Sequence, residues 1–152
     1  MDAVTPCLWF DGQAEEAVAF YVSLIPGSKV TKVTPGPGGR ALTVAFSLGG
    51  RDFVALNGGP QFHFTEAMSL VIHCDTQADI DRLWSALTAD GGAESRCGWC
   101  KDRFGLSWQV VPRRLGELLS DPDRARAQRV VAAFMPMTKL VLADLERAFA
   151  GP

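Results

Sequence analysis

The residues best suited to chemistry lie close together, in the stretch from residue 97 to residue 112. It opens with a Cys-x-x-Cys pair, Cys97 and Cys100, a spacing that both redox enzymes and zinc sites use. Redox cysteines owe their low thiol pKa to a helix N-terminus, whereas this pair precedes a charged turn between two predicted strands. A zinc ion would need two further ligands. We therefore predict that the pair has neither role and that the stretch forms one wall of a small-molecule site.

The composition is typical of a globular protein. Of the 152 residues, 47% are hydrophobic and 21% are charged, and the formal net charge is -2. A chain this close to neutrality has little electrostatic attraction for nucleic acid or for an anionic membrane surface. We find no signal peptide and no apolar run of the roughly 20 residues that span a bilayer. We therefore expect a cytoplasmic protein that binds neither nucleic acid nor membrane and keeps its four cysteines reduced.

Hydrophobic periodicity predicts a β-α-β-β-β order of elements in the first half of the chain. Apolar residues recur at helical spacing from Ala14 to Leu24, with Asp11 placed to cap the helix and Pro26 to end it. Runs rich in β-branched and aromatic residues predict strands on either side of this helix. The predicted strands are residues 4–10, 29–34, 41–48 and 52–57.

The second half repeats this order about 64 residues later, which indicates a tandem duplication. Asp75 ends a strand as Asp11 does, and an apolar stripe from Ile80 to Leu87 predicts the helix that follows. The predicted strands of this half are residues 68–74, 94–99 and 106–112.

After Pro112 the pattern becomes helical. We predict one helix capped by Asp121 and a last amphipathic helix that begins at Thr138. The whole chain is then a single domain, with module 1 at about 4–58, module 2 at about 67–112 and a helical tail at about 114–150.

Strand alternation gives each strand one apolar face and one mixed face. A face exposed to solvent would carry more Lys and Glu, so the mixed faces are predicted to line a mostly apolar cavity with a few polar anchors. The alternative is a core whose polar groups bond to one another. Cys7 and Cys74 are assigned to the helix-facing side. The predicted ligand-binding residues are Phe53, Asn57, Ser69, Val71, His73, Trp99, Ser107 and Gln109.

Several segments resemble the PhnB-like family of the glyoxalase/bleomycin-resistance/dioxygenase (vicinal oxygen chelate) superfamily, whose members often carry the label 3-demethylubiquinone-9 3-methyltransferase. These segments are residues 5–12, 20–21, 56–60, 97–99 and 101–112. The resemblance implies an α+β fold in which two tandem βαβββ modules form a curled mixed sheet around a shared cavity, followed here by C-terminal helices. It also implies a homodimer.

The resemblance also bears on metal chemistry. Metal-using members of the superfamily place ligands, usually His and Glu, on the first and last strands of each module. Alignment puts these positions on residues that are poor ligands for zinc, iron or nickel, namely Pro6, Asn57, Ser69 and Gln109. We therefore predict no metal ligands and no cofactor. The alternative is a divalent metal held by Gln109, waters and substrate oxygens.

The predicted function is metal-independent binding of an apolar or aromatic small molecule, with catalysis left open. One alternative is a metal-dependent enzyme of the glyoxalase or dioxygenase type. The other is a methyltransferase acting on a demethylubiquinone-type substrate, which rests on the family label alone. No glycine-rich turn followed by an acidic residue about 20 positions on indicates a nucleotide-type cofactor site.

Overall fold

The computed structural model describes residues 4–152 and contains two compact units, Met1–Phe64 and Thr65–Pro152, each with its own four-stranded mixed sheet. The predicted α+β fold of two βαβββ modules followed by C-terminal helices is confirmed. Within residues 4–152, no helix combines the length and the apolar character needed to cross a bilayer.

The first unit builds its sheet in the strand order β1-β4-β3-β2, with β1 parallel to β4 and the other neighbours antiparallel. A parallel pair cannot be joined by a tight turn, so the chain passes through a helix and two further strands between β1 and β4. The elements are β1 (Cys7–Phe10), α1 (Ala14–Leu24), β2 (Lys29–Pro35), a 3-10 turn (Pro37–Gly39), β3 (Ala41–Leu48) and β4 (Arg51–Asn57).

Helix α1 begins without a side-chain cap from its own segment, so the prediction of Asp11 as the cap is wrong. Asn57, at the end of β4, fills this role from a distance: its Oδ1 accepts a hydrogen bond of 2.9 Å from the Ala14 N–H. The Asn57 Nδ2 donates to the Ala41 carbonyl, also at 2.9 Å. One amide side chain therefore satisfies a free N–H of the first helical turn and ties the helix to both central strands.

These bonds place Asn57 on the helix-bearing face of the sheet, so the predicted face assignment for β4 is wrong. Alternation puts Phe53 on the same face, where its ring lies 5.5 Å from that of Phe46 in a stacked arrangement. On β1, Leu8 and Phe10 are buried and Cys7 is exposed, which also reverses the prediction for Cys7.

The second unit has the strand order β5-β8-β7-β6, again with one parallel pair, β5 with β8. The predicted strand 94–99 is two shorter strands, because the backbone turns at Cys97 (φ 57°) and Gly98 (φ 81°). The elements are β5 (Ser69–Cys74), α2 (Gln77–Thr88), β6 (Ala93–Glu94), β7 (Trp99–Lys101), β8 (Ser107–Pro112), α3 (Arg113–Leu119), α4 (Arg124–Phe134) and α5 (Leu142–Ala150).

The turn between β7 and β8 is organised around the carboxylate of Asp102, which is only 2% exposed. Its Oδ1 accepts hydrogen bonds from the N–H groups of Phe104 at 2.8 Å and Leu106 at 3.1 Å. Its Oδ2 accepts a bond of 2.8 Å from the indole N–H of Trp108. The carboxylate therefore fixes both the course of the turn and the orientation of the largest side chain under helix α2.

The tail differs from the prediction at its boundaries. Helix α3 follows β8 directly and was not predicted, and α4 is capped by Asp123 rather than Asp121. Helix α5 begins at Leu142 rather than at Thr138. The tail has its own apolar cluster of Leu115, Leu118, Val130, Leu140 and Leu145.

Backbone and side-chain bonds tie this tail to the second sheet. The N–H groups of Cys97 and Gly98 donate to the carbonyls of Met137 and Thr138 at 2.7 and 2.8 Å. The Gln77 side chain donates to the Leu140 carbonyl and accepts from the Leu142 N–H.

We predict that Asp102→Asn lowers the free energy of unfolding by about 2 kcal/mol, since an amide cannot accept all three hydrogen bonds and leaves a buried donor unsatisfied. Urea unfolding monitored by tryptophan fluorescence measures this loss. The control is Asp123→Asn, because exposed Asp123 also accepts from two backbone N–H groups and asparagine caps helices equally well. Equal losses in the two variants would contradict the structural role of Asp102.

Candidate functional site

The predicted residues of the second module lie together on the face of the second sheet that is turned away from α2. We call this the distal face. The opposite face carries Cys100, Trp108 and Val110, which are buried beneath the helix. Alternation places on the distal face Ser69, Val71 and His73 of β5, Trp99 and Lys101 of β7, and Ser107, Gln109 and Val111 of β8.

Strand register arranges these side chains in rows across the sheet. One row runs from Ser69 through Ser107 to Lys101, and the next from Val71 through Gln109 to Trp99. Side chains in one row lie about 5 Å apart at their Cβ atoms, close enough to contact a single small ligand. The first row is polar, and the second combines a polar amide with apolar and aromatic surface.

Two polar groups of these rows bond to each other. The Gln109 Nε2 donates a hydrogen bond of 2.9 Å to the Ser69 Oγ. The bond leaves the Ser69 hydroxyl hydrogen available to donate elsewhere, because the oxygen acts here as the acceptor.

Ser107 is different, because its side chain is 1% exposed and its Oγ has no hydrogen-bond partner among residues 4–152. A buried hydroxyl without a partner costs about 1–3 kcal/mol. Such groups are rare in folded proteins and call for an explanation, which can be a binding function.

Lys101 belongs to the distal face and was missed by the sequence analysis, which treated it as part of a turn. Its Nζ lies 2.5 Å from Glu66 Oε1, and the two side chains are 39% and 66% exposed. The pKa of the Glu66 carboxyl is lowered, first by the hydrogen bond from Lys101, then by a bond within Glu66 and by the lysine charge. Alternation along β7 was the signal that could have placed Lys101, since it follows buried Cys100.

The remaining predicted residues of this unit, His73, Val71 and Trp99, also belong to the distal face. His73 is exposed and pairs in register with Val111, which packs against the tail cluster. Val71 is 47% exposed in spite of its apolar side chain. Trp99 is half-buried beside Gln109.

The first unit keeps polar residues in the first row, where Ser47 pairs with Asp52 as Lys101 pairs with Ser107, but it has no equivalent of Gln109 in the second row. In the second unit, Gln109 lies in register between Val71 and Trp99. In the first unit, Val54 lies in register between Cys7 and Ala45 on the corresponding strands. Register therefore makes Val54, not Asn57, the equivalent of Gln109. The alignment that put Asn57 at this position is wrong, and both side-chain polar atoms of Asn57 already have partners.

Trp9 is an aromatic residue that the sequence analysis did not place in a site. It lies on the face of the first sheet opposite α1, its indole N–H donates to the Gly59 carbonyl at 2.8 Å, and the Phe62 ring packs edge-on at 4.9 Å. This arrangement covers the first sheet with aromatic surface and offers no titratable group.

The donor set does not fit a divalent metal. Gln109 and Ser69 bond to each other, and the equivalent position in the first unit holds the hydrocarbon side chain of Val54. Residues 4–152 contain no group of three or more His, Cys, Asp and Glu side chains arranged to hold a metal. Zinc and iron sites in proteins need imidazole, thiolate or carboxylate ligands.

Cys100 of the cysteine pair has the properties of a structural thiol. Burial raises the pKa of Cys100 to about 12, with further contributions from the charges of Asp102 and Glu94. Cys97 lies in the turn before β7, where its Sγ is 3.2 Å from the Met135 carbonyl oxygen. Burial likewise raises the pKa of Cys74 to about 11.

A cleft of about 560 Å³ lies between helices α4 and α5 in the tail. Its charged groups already have partners: Arg129 donates to the carbonyls of Ala148 and Phe149, and Arg147 pairs with Asp144. The cleft therefore offers a ligand fewer unsatisfied groups than the distal face does.

The comparisons with known proteins agree on one family. A family described as 3-demethylubiquinone-9 3-methyltransferase matches residues 2–111. A PhnB protein from Bacillus cereus is 30% identical, over 73% of this chain and 99% of its own, with a TM-score of 0.68. No curated protein matches.

Two more distant structures share the fold. A protein from Pseudomonas aeruginosa is 21% identical over 74% of this chain and 98% of its own, with a TM-score of 0.61. A glyoxalase-related enzyme from Fulvimarina pelagi is 14% identical over 75% of this chain and 91% of its own, with a TM-score of 0.51. Helices α3, α4 and α5 lie beyond the family match, which ends at residue 111.

We predict that iodoacetamide at pH 8 modifies Cys7 and Cys97 in the folded protein and leaves Cys74 and Cys100 unmodified. A thiol with a pKa of 11 or 12 is almost entirely protonated at this pH, and only the thiolate reacts. Mass spectrometry of tryptic peptides measures the labelling, with urea-unfolded protein as the control in which all four react. Rapid labelling of Cys100 in the folded protein would restore the redox interpretation of the pair.

Proposed function

The chain belongs to the family described as 3-demethylubiquinone-9 3-methyltransferase, in the glyoxalase/bleomycin-resistance superfamily, and we propose that it binds a small apolar or aromatic molecule without a metal. The binding surface is the distal face of the second sheet. We also propose that the protein works as a homodimer, which the resemblance to the PhnB-like family implies.

The unpartnered hydroxyl of Ser107 is the observation that carries this proposal. A serine in a permanently dry core would bond to a neighbour, as the adjacent Ser69 does by accepting from Gln109. A ligand oxygen in the polar row supplies the missing partner and recovers the cost of leaving the hydroxyl unbonded. The buried serine is therefore better explained by a ligand than by packing.

The rest of the face supplies apolar contact. Val71 and Trp99 flank Gln109 in the adjacent row, which gives a ligand hydrocarbon and aromatic surface beside its polar anchors. Small-molecule sites combine mostly apolar lining with a few oriented polar groups. The distal face has this composition.

The metal-independent form of the proposal rests on donor chemistry. The amide of Gln109 and the hydroxyl of Ser69 are neutral and bonded to each other, so neither offers the charge that a catalytic divalent ion needs. Polar and aromatic side chains alone then determine which molecules bind.

We predict that a panel of aromatic and apolar metabolites contains compounds that stabilise the protein. At a concentration 100 times its Kd, a ligand adds about 2.7 kcal/mol, or roughly 5–10 °C in Tm for a chain of this size. In Ser69→Phe, the added ring fills the space beside Gln109 and abolishes the shift. Differential scanning fluorimetry measures both.

The matched control for this experiment is Ser85→Phe, which adds the same ring at an exposed position on α2. It should leave the ligand-induced shift unchanged. If no compound of the panel stabilises the protein, or if Ser69→Phe responds like Ser85→Phe, the distal face is not a ligand site. Stabilisation by S-adenosylmethionine would instead favour the methyltransferase alternative.

Protein purified without chelator is predicted to carry only substoichiometric zinc, iron and nickel, measured by plasma mass spectrometry. The reason is that the equivalent positions of the two sheets hold Gln109 and Val54, and neither side chain is a carboxylate, thiolate or imidazole that could bind these metals. A near-stoichiometric metal that is lost in Gln109→Ala and kept in Gln61→Ala would establish the metal-dependent alternative.

A further inference from the structure

The ion pair between Lys101 and Glu66 differs in its setting from the ion pairs on the tail helices. Several of those pairs join residues three apart, as Arg114 with Glu117 and Arg147 with Asp144, and Arg114 with Glu146 joins two tail helices. Lys101 lies on β7, whereas Glu66 lies in the segment that leads into β5, and β8 separates these two strands. The ion pair therefore spans the strand that carries Ser107.

The groups in this row are hydrogen-bond donors. The Lys101 ammonium can only donate, and the Ser69 hydroxyl already accepts from Gln109, so its hydrogen is free to donate. The Ser107 hydroxyl lies between them in register, buried and without a partner among residues 4–152. Converging donors with one positive charge favour an anionic oxygen acceptor over a neutral or cationic group.

Glu66 supplies such an acceptor from the chain itself. Its carboxylate is 66% exposed and is held by Lys101 at 2.5 Å. An exposed ion pair of this kind contributes little to stability, so a ligand carboxylate can displace it at small cost. The lysine is then released for the ligand without the loss of a buried bond.

We propose that the ligand of the distal face carries a carboxylate that binds Lys101 and Ser107, and that Glu66 occupies its place at Lys101 in the free protein. This inference rests on the small-molecule function proposed above and narrows its ligand class to aromatic or apolar carboxylic acids. The hydrocarbon part lies along the row of Val71 and Trp99.

Matched acids and amides test the charge requirement. The probes are benzoate with benzamide and 1-naphthoate with 1-naphthamide, because each pair differs chiefly in the negative charge. Isothermal titration calorimetry gives a Kd for each probe with wild type, Glu66→Gln and Lys101→Met. We expect the wild-type protein to bind an acid more tightly than its amide.

Glu66→Gln removes the internal competitor and should tighten binding of the acid by about 1.4-fold to fivefold, the range of an exposed ion pair, with little change for the amide. Lys101→Met should remove the preference for the acid. Lys139, between α4 and α5, and Asp81, on α2, form an ion pair of the same length and similar exposure. Lys139→Met and Asp81→Asn are therefore the controls, and both should bind like wild type.

The outcomes separate this inference from the broader function. Equal Kd values for acid and amide, or a preference for the acid that survives in Lys101→Met, would overturn the carboxylate assignment. If acids and amides both fail to bind while neutral compounds of the panel stabilise the protein, the carboxylate is wrong and the small-molecule function stands. Because Glu66 is exposed, Glu66→Gln gives a result even if Lys101→Met does not fold.

Discussion

The hydrogen bonds to the buried carboxylate of Asp102 are the interaction on which the second module depends. They hold the β7–β8 turn and the Trp108 indole together, and so fix the register that sets Lys101 opposite Ser107. A slip of one residue would exchange the two faces of β8 and place Gln109 beneath the helix. The charged turn that follows the Cys-x-x-Cys pair is thus the structural support of the distal face. It aligns the rows that contain the proposed ligand contacts.

The sequence predicted the faces of one module correctly and reversed those of the other, for a physical reason. In β8, Trp108 and Val110 contrast with Ser107 and Gln109, so alternation alone separates helix-facing from distal residues. In β1 and β4 of the first unit, both faces are largely apolar, and hydrophobicity cannot choose between them. The choice depends on Asn57, whose partners are the N–H of Ala14 and the carbonyl of Ala41. Bonds between residues so far apart in sequence leave no trace in a local pattern.

The same limit explains the errors at element ends. Strand and helix interiors follow from periodicity, and the α+β order of elements could be derived from it. The break between β6 and β7 could not be derived from periodicity, because the N–H groups of Cys97 and Gly98 donate to carbonyls about 40 residues away, at Met137 and Thr138. The buried hydroxyl of Ser107 and the partner of Lys101 are likewise properties of the folded chain. Ser69, Ser107 and Gln109 were nevertheless predicted to line one cavity, since strand alternation places all three on the mixed faces of their strands.

The duplication makes the asymmetry between the modules informative. Both units keep the scaffold of a parallel pair beneath a helix, yet the register position of Gln109 holds Val54 in the first unit. A duplicated scaffold can keep its fold with this amide on one copy only, because the helix-facing residues, and not those of the opposite face, hold each sheet to its helix. In the polar row, the second unit holds the ammonium of Lys101 beside Ser107, whereas the equivalent positions of the first unit hold Ser47 and Asp52. Within the second unit, the donors of the first row lie beside the apolar and aromatic side chains of Val71 and Trp99, which favours a ligand whose polar group lies at one end of an apolar body, and an aromatic carboxylate has this form.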